Sequence, residues 1–359
     1  MTELSGSRTL VVGGAGFVGS NLVRALLDEG VASALVVDNL LSAERENVPD
    51  DDRVEFVEGS ITDDEVLAGL PADLDFVWHL ATFHGNQSSI EFPLDDHENN
   101  TLTTLKLYER LKDFEGITKV VYSSSGGTVA PKTFDAATAT AEDQPVSMHL
   151  DSPYQISKIV GEFYSNYYSS RHGLPVSMVR FQNVYGPGEV LGAGRWRGSN
   201  TVWRNVTPTF VYKALRHEAL PLQNGGIATR DFIYVGDIAR GLIATALRGE
   251  PANVYNMASG TETPIRELAE AINELAGNPT PLDIAPAREW DRSGKRFGDP
   301  VKARERLGFS AEVPLRDGLE RTVAWTRENL DWIESCIERH RDQLERFDAE
   351  AARVAQPHG

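Results

Sequence analysis

Along the first half of the chain, short β-branched runs alternate with stretches of helical periodicity. "TLVVGG" (9–14) reads as a strand ending in glycines, and "SNLVRALLDEG" after it repeats its apolar residues at helical spacing before a glycine stop. "ALVVD" (34–38), "VEFVEG" (54–59), "DFVWHLA" (75–81), "KVVYSSS" (119–125) and "PVSMVRF" (175–181) extend the series, separated by polar or helix-patterned segments. Near-continuous apolar runs are what strands buried on both faces require. Right-handed crossovers then wind them into a doubly wound, Rossmann-type parallel α/β sheet. After residue 185 the rhythm loosens into "YGPGEVLGAGRWRGSNTVWRNVTP", and no strand-helix alternation is expected to resume before "RDFIYVGDIARGLIATAL" (230–247). "VYNMASG" (254–260) is a further strand, "TPIRELAEAINELAG" a capped amphipathic helix, and "VPLRDGLERTVAWTRENLDWIESCIERHRDQL" is helix-patterned to near its end.

Composition narrows the class. A chain of 359 residues with 41% hydrophobic and 25% charged residues has the length of about two domains and can bury a core without staples. The single cysteine, Cys336, cannot form an internal disulfide, which agrees with a reducing, cytoplasmic setting. The N-terminal residues lack a charged region followed by an apolar one, and no apolar run approaches the roughly 18 residues of a membrane span. A net charge of −18 argues against a nucleic-acid partner, because no basic stripe is present to displace counterions. Any phosphate ligand must be held locally. "PDDDR" (49–53) reads as a solvated loop, and the eight histidines show no ligand-like cluster, so no metal site is expected.

A candidate phosphate turn follows the first strand. "GGAGFVG" (13–19) places glycines at 13, 16 and 19 between a strand and a helix, where missing side chains let a pyrophosphate approach the backbone and the positive helix N-terminus. Asp38 closes the second strand about 20 residues on, where a carboxylate accepts from a ribose diol and repels a 2'-phosphate. That pattern favours NAD over NADP.

"SPYQISKIVGEFYSNYY" (152–168) sets Tyr154 and Lys158 four residues apart after a proline. Residues at i and i+4 share a helix face, so the two could share a substrate or both face water; spacing alone does not decide.

With these motifs in this order, the chain resembles the extended short-chain dehydrogenase/reductase family, in particular its NAD-dependent nucleotide-sugar epimerases and dehydratases. The likeness runs from about residue 8 to residue 325, through "TLVVGGAGFVGSNLVRALL", "VVDNL", "DFVWHLA", "PLDDHENNTLTTLKLYE", "VVYSSSGG", "SPYQISKIVGE", "VRFQNVYGPG", "TRDFIYVGDIARG" and "VYNMASG". It implies an NAD-binding domain over 1–184 plus about 231–258, a smaller α/β nucleotide-sugar domain over 185–230 plus about 259–345, and a polar tail over 346–359. It also implies a catalytic set of Tyr154 and Lys158 with a serine from the preceding strand end, Ser125 first and Ser124 beside it. Free tyrosine ionises near pH 10, so a phenolate base needs a neighbouring cation, here Lys158. In the family's dehydratases an Asp-Glu pair follows the catalytic Thr. Here Gly126 and Gly127 stand there, which leaves hydride out and hydride back, a 4-epimerisation.

The implied cofactor contacts are Gly13, Gly16, Phe17, Val18 and Gly19 in the first turn, and Asp38, Asn39, Leu40 and Ser42 after the second strand. Ser60, Ile61, Leu80, Ala81, Thr82, Asn100, Ser123, Tyr154 and Lys158 complete them, with Asn100 read as an interior residue that steadies the sheet or a water. The implied substrate contacts are His84, Ser124, Ser125, Tyr154, Gln182 and Asn183, then Asn205, Val206, Leu222 and Arg230, and finally Arg288 with Asp291 in "REWDR". For a sugar carboxylate, Arg195 and Arg197 could supply donors. The favoured substrate pair is UDP-glucuronic acid and UDP-galacturonic acid. Asn183 stands where uronate epimerases of the family carry Thr, which keeps UDP-glucose and UDP-galactose open. A dehydratase, or an NAD-binding regulator without catalysis, is a further alternative. The family commonly pairs through the helices "NNTLTTLKLYERL" and "YQISKIVGEFYSNYY", so a homodimer through a four-helix bundle is expected.

Overall fold

The computed structural model describes residues 3–83, 85–131, 133–190, 205–287 and 294–339. Its strands are β1 (Arg8–Val12), β2 (Ser33–Asp38), β3 (Val54–Glu58), β4 (Phe76–His79), β5 (Lys119–Ser125), β6 (Val176–Phe181), β7 (Asn183–Tyr185), β8 (Pro221–Gln223), β9 (Thr229–Arg230), β10 (Phe232–Tyr234), β11 (Val254–Met257), β12 (Thr263–Pro264) and β13 (Asp283–Ala285). The helices are α1 (Phe17–Asp28), α2 (Asp64–Ala68), α3 (Asn86–Glu91), α4 (Pro93–Asp96), α5 (Thr103–Leu111), α6 (Pro153–His172), α7 (Val206–Leu215), α8 (Val235–Arg248), α9 (Ile265–Ala276), α10 (Val301–Leu307), α11 (Leu315–Glu328) and α12 (Leu330–Arg339). A π-helical turn, His97–Leu102, joins α4 to α5.

Seven strands form one parallel sheet in the order β3-β2-β1-β4-β5-β6-β11. This is the Rossmann arrangement extended by one strand. Winding reverses between β1 and β4, so a crevice opens at the carboxyl ends of those strands, where open α/β sheets hold ligands. The alternating side chains of β1 show why the strands read as unbroken apolar runs. Val11 enters the core on one face with Leu22 and Leu26 of α1 and Ile238 and Leu242 of α8. Leu10 and Val12 enter the core on the other, with Leu107 and Leu111 of α5 and Tyr168 of α6. A third core, separate from these, gathers Phe210 of α7, Leu268 and Ile272 of α9, and Leu319 and Val323 of α11.

Three expectations about elements need correction. The segment after residue 185 is not without regular structure before 230, because α7 and β8 lie within it. The helix-patterned stretch from 313 is broken at Asn329 (φ −109°, ψ 16°), whose side-chain amide donates to the carbonyl of Trp325 at 2.8 Å. Helix α9 has no side-chain cap at its start; Pro264 precedes it, and it ends on Gly277 in the left-handed region (φ 71°). Among the described residues no helix is long and apolar enough to cross a membrane.

Candidate active site and its relatives

The crevice at the switch point is a cleft of about 730 Å³, well within the range of small-molecule sites. Its floor is the turn after β1. Gly13 has φ +85°, and a Cβ there would lie 2.5 Å from the Ala81 nitrogen in the loop after β4. A Cβ on Gly19 would lie 2.1 Å from the Gly13 carbonyl oxygen, so the first turn of α1 can pack onto the loop only without side chains. Gly16 caps α1 with no side-chain hydrogen bond, which directs the positive helix end at the cleft. This cradle, closed to side chains at Gly13 and Gly19, fits a dinucleotide pyrophosphate.

Asp38 ends β2 at the same mouth, and its carboxylate accepts from the Ala15 and Leu40 amides at 3.0 and 2.9 Å. Burial pushes its pKa up, and these two backbone donors pull against that. Leu40 is held in the left-handed region (φ 53°) and packs partly against the core; Asn39 and Ser42, not Leu40, are among the residues that line the cleft. Phe17, Val18, Ser60, Ile61, Leu80, Ala81 and Thr82 also line it. Asn100, buried in the π-helical turn, accepts from Thr82 Oγ1 and the Phe83 amide at 2.9 and 2.8 Å, and donates to Asp96 Oδ1 at 2.7 Å. It braces the loop after β4 from beneath.

Helix α6 presents the Tyr-x-x-x-Lys pair. Ser152 caps it by accepting from the Gln155 amide, Pro153 occupies its first turn, and Gly173 (φ 72°) terminates it. Both Tyr154 and Lys158 are buried and line the cleft. The Lys158 ammonium donates to the Ser123 carbonyl at 2.9 Å and lies 5.9 Å from the centre of the Tyr154 ring. Burial lowers the Lys158 pKa to about 8, with the charge of Asp96 opposing the shift.

The three serines at the end of β5 have separate surroundings. Ser123 Oγ donates to the His79 carbonyl at 3.1 Å. Ser124 Oγ donates at 2.5 Å to Glu162 of α6, which also receives Arg180 of β6 through Nε at 2.8 Å and Nη2 at 2.7 Å. Ser125, half-buried, lines the cleft beside Tyr154, and no such buried carboxylate holds its hydroxyl among the contacts described. His79 is an interior residue: its Nε2 meets Thr104 Oγ1 at 2.9 Å, and burial lowers its pKa to about 3, so it is neutral. Among the described residues no metal-ligand cluster exists.

The far wall carries Gln182, Asn183, Asn205, Val206 and Arg230. The Asn205 amide donates to Glu189 at 2.5 Å, and Arg230 donates to the carbonyls of Thr229 and Gly294 at 2.7 Å each. Leu222 departs from expectation: its side chain is fully buried in the third core, and its neighbours Pro221 and Gln223 line the cleft instead. His84, Arg195, Arg197, Arg288 and Asp291 lie outside the described residues. The sequence reading missed Phe134, Glu189, Gln223 and Arg296, all on the lining. They stand in irregular segments with no periodicity to mark them; only the glycines around Arg296 in "GKRFGD" hint at a close approach.

Comparison with known proteins agrees with this geometry. The chain is 33% identical over 327 residues to UDP-glucose 4-epimerase of Mycolicibacterium smegmatis, covering 89% of this chain and 98% of that one. It is 30% identical over 337 residues to UDP-glucuronate 4-epimerase of Thermodesulfobacterium geofontis, covering 91% and 98%. The crystal structure of the Bordetella bronchiseptica enzyme WbmF in complex with NAD+ and UDP superposes with a TM-score of 0.85 at 59% identity, over 95% of this chain and 98% of that one. The sequence profile of the NAD dependent epimerase/dehydratase family matches residues 9–258, and with the glycine turn, the acidic end of β2 and the Tyr154–Lys158 pair facing one cleft, the chain belongs to that family.

Proposed function

We propose that this protein is a UDP-sugar 4-epimerase that inverts C4 through a transient 4-keto sugar with NAD retained, and that UDP-glucuronic acid and UDP-galacturonic acid are its favoured pair. The carrying observation is that Tyr154, Lys158 and Ser125 line one cleft while the two positions after Ser125 are glycines. Among the described residues on the lining, the only carboxylates are Asp38, at the end of β2, and Glu189, held by Asn205. Elimination of water needs a further acid and base beside the sugar. Transfer out and back at C4 does not.

When bound, the nicotinamide supplies an acceptor and donor of hydride at C4. Asp38 would take the adenosine ribose, and the glycine turn the pyrophosphate. The Tyr154 oxygen removes the proton from the C4 hydroxyl and later returns it. Ser125 Oγ steadies the same oxygen, and the Lys158 cation keeps the phenolate accessible near neutral pH. The far wall, with Asn183, Asn205 and Arg230, would hold the UDP diphosphate. In this reading 1–184 plus about 231–258 would hold the dinucleotide and 185–230 plus about 259–345 the nucleotide sugar. Two copies would pair through α5 and α6.

UDP-glucose with UDP-galactose is the second reading, favoured by Asn183 in place of Thr and by the kinship to the Mycolicibacterium enzyme. Measuring kcat/KM of purified protein for UDP-glucuronic acid and UDP-glucose, with bound nicotinamide identified after denaturation, tests the proposal. The expected outcome is faster turnover of the uronate, retained NAD and not NADP, and no net NADH. Stoichiometric NADH would make it a dehydrogenase, and a preference for UDP-glucose would select the second reading.

A further inference from the structure

The two glycines after Ser125 make room for different side chains. A Cβ on Gly126 would lie 2.1 Å from Nε2 of Gln182, and one on Gly298 would lie 2.7 Å from the same atom, so the Gln182 amide is clamped between two glycines. A Cβ on Gly127 would lie 3.3 Å from Nη1 and 3.5 Å from Cζ of Arg296, and 3.6 Å from Oγ of Ser125. The small space at Gly127 is therefore bordered by both the guanidinium and the catalytic-candidate hydroxyl. Gly127 needs no unusual backbone conformation, so space, and not φ, is what its missing side chain provides.

Arg296 is held there by its backbone. Residues 294–299 cross the cleft wall as a strap whose amides are taken up in turn: Lys295 N by the Thr133 carbonyl (2.7 Å), Arg296 N by Thr229 Oγ1 (3.1 Å), Gly298 N by Asp231 Oδ2 (3.2 Å) and Asp299 N by the Thr140 carbonyl (2.9 Å). Arg230 grips the strap's first carbonyl, at Gly294. The strap thus brings one cation onto the cleft lining near Ser125, in a protein whose net charge is −18. Arg230, on the same lining, is the cation assigned above to the diphosphate.

We infer that Arg296 is a specificity-determining residue that reads an anionic substituent on the sugar next to the reacting carbon, as the C6 carboxylate of a hexuronate is. This rests on the epimerase reading above. A guanidinium presents a planar fork of donors that matches a carboxylate, and beside Ser125 it meets the substituent within a few ångströms of the oxygen that loses its proton. A neutral hydroxymethyl group at C6 gains far less from the same cation.

The test is the ratio of kcat/KM for UDP-glucuronic acid to that for UDP-glucose, measured on the full-length enzyme and on Arg296→Met, Arg296→Lys and Gly127→Ala. Arg296→Met should lower the ratio by roughly 30-fold or more, as expected for loss of one member of a desolvated charge pair. Arg296→Lys, which keeps the charge but loses the fork, should lower it less. Gly127→Ala keeps the arginine, narrows the space and should also lower the ratio, so the inference stays testable if the arginine variants do not fold. A ratio unchanged in the folded variants, whether both activities fall together or neither falls, overturns the role of Arg296 and leaves the epimerase standing. Absence of turnover of any UDP-sugar by the unaltered protein instead overturns the epimerase reading, and preference of the unaltered protein for UDP-glucose overturns the carboxylate-reading role.

Discussion

Lys158 is buried where its charge is hardest to keep. Its pKa, lowered by burial to about 8 from the ordinary lysine value near 10.4, means that the cation is present below pH 8 and lost as pH rises through it. A Tyr154 phenolate that depends on that cation should lose kcat with a midpoint near pH 8. Initial rates from pH 6 to 10 check this, and a flat profile to pH 9.5 would remove the electrostatic role. The contribution of the same group to stability runs the other way. Between about pH 8 and 10.4 the unfolded chain holds the proton that the folded chain has released, so stability from this residue rises with pH across that window. Tyr154→Phe keeps the ring and removes the ionisable oxygen, and should lower kcat roughly 100-fold or more while UDP-sugar binding, followed by calorimetry, survives.

Helix α6, which holds Tyr154 and Lys158 on the cleft, is fastened two turns beyond Tyr154. Glu162 and Arg180 form a bidentate ion pair, both nearly excluded from solvent, that ties α6 to β6, and Ser124 adds a bond from β5. Removing one partner strands a buried charge, so Glu162→Ala or Arg180→Met should cost about 3 to 5 kcal/mol in urea unfolding. The Glu162→Leu/Arg180→Met double variant should recover most of that loss, because no charge is left unpaired. A helix such as α7 shows the other side of local reading. Its sequence, "VTPTFVYKAL", has β-branched residues at four positions, which weaken any helical signal. It forms because Phe210, Val211 and Ala214 bury in the third core.

For the whole molecule, the exposed face of α6 sets the expectation of assembly. Ile156, Phe163 and Tyr167 are 51%, 59% and 52% exposed and recur at helical spacing on one side, away from the buried Tyr154 and Lys158. Pairing with the same helices of a second copy would cover them. Light scattering should give a dimer mass, and Phe163→Glu with Tyr167→Glu should give a monomer. A monomer before substitution would reject the pairing.

The sequence by itself determined that the main sheet is parallel and doubly wound, because strands buried on both faces must be written as apolar runs and a parallel pair must be linked by a crossover. It also marked Gly13, Gly16, Gly19, Asp38, Tyr154 and Lys158, which all reach one cleft, since the phosphate turn and the base with its cation proposed for them need particular residue types at particular spacings. Tertiary structure decided what spacing cannot encode. Ser124 and Ser125 are adjacent in sequence and both border the cleft, yet strand alternation turns the Ser124 hydroxyl to the Glu162–Arg180 pair, while no such tie holds that of Ser125 among the contacts described. Leu222 turns into the core because its strand packs there, and its neighbours take the lining. Arg296, more than 160 positions from Gly127, reaches the space that glycine leaves only because three segments, at Thr133, Thr140 and Thr229 to Asp231, hold its strap in place. Local pattern records which face of an element is buried; which distant side chain fills a gap is settled only when the chain closes on itself.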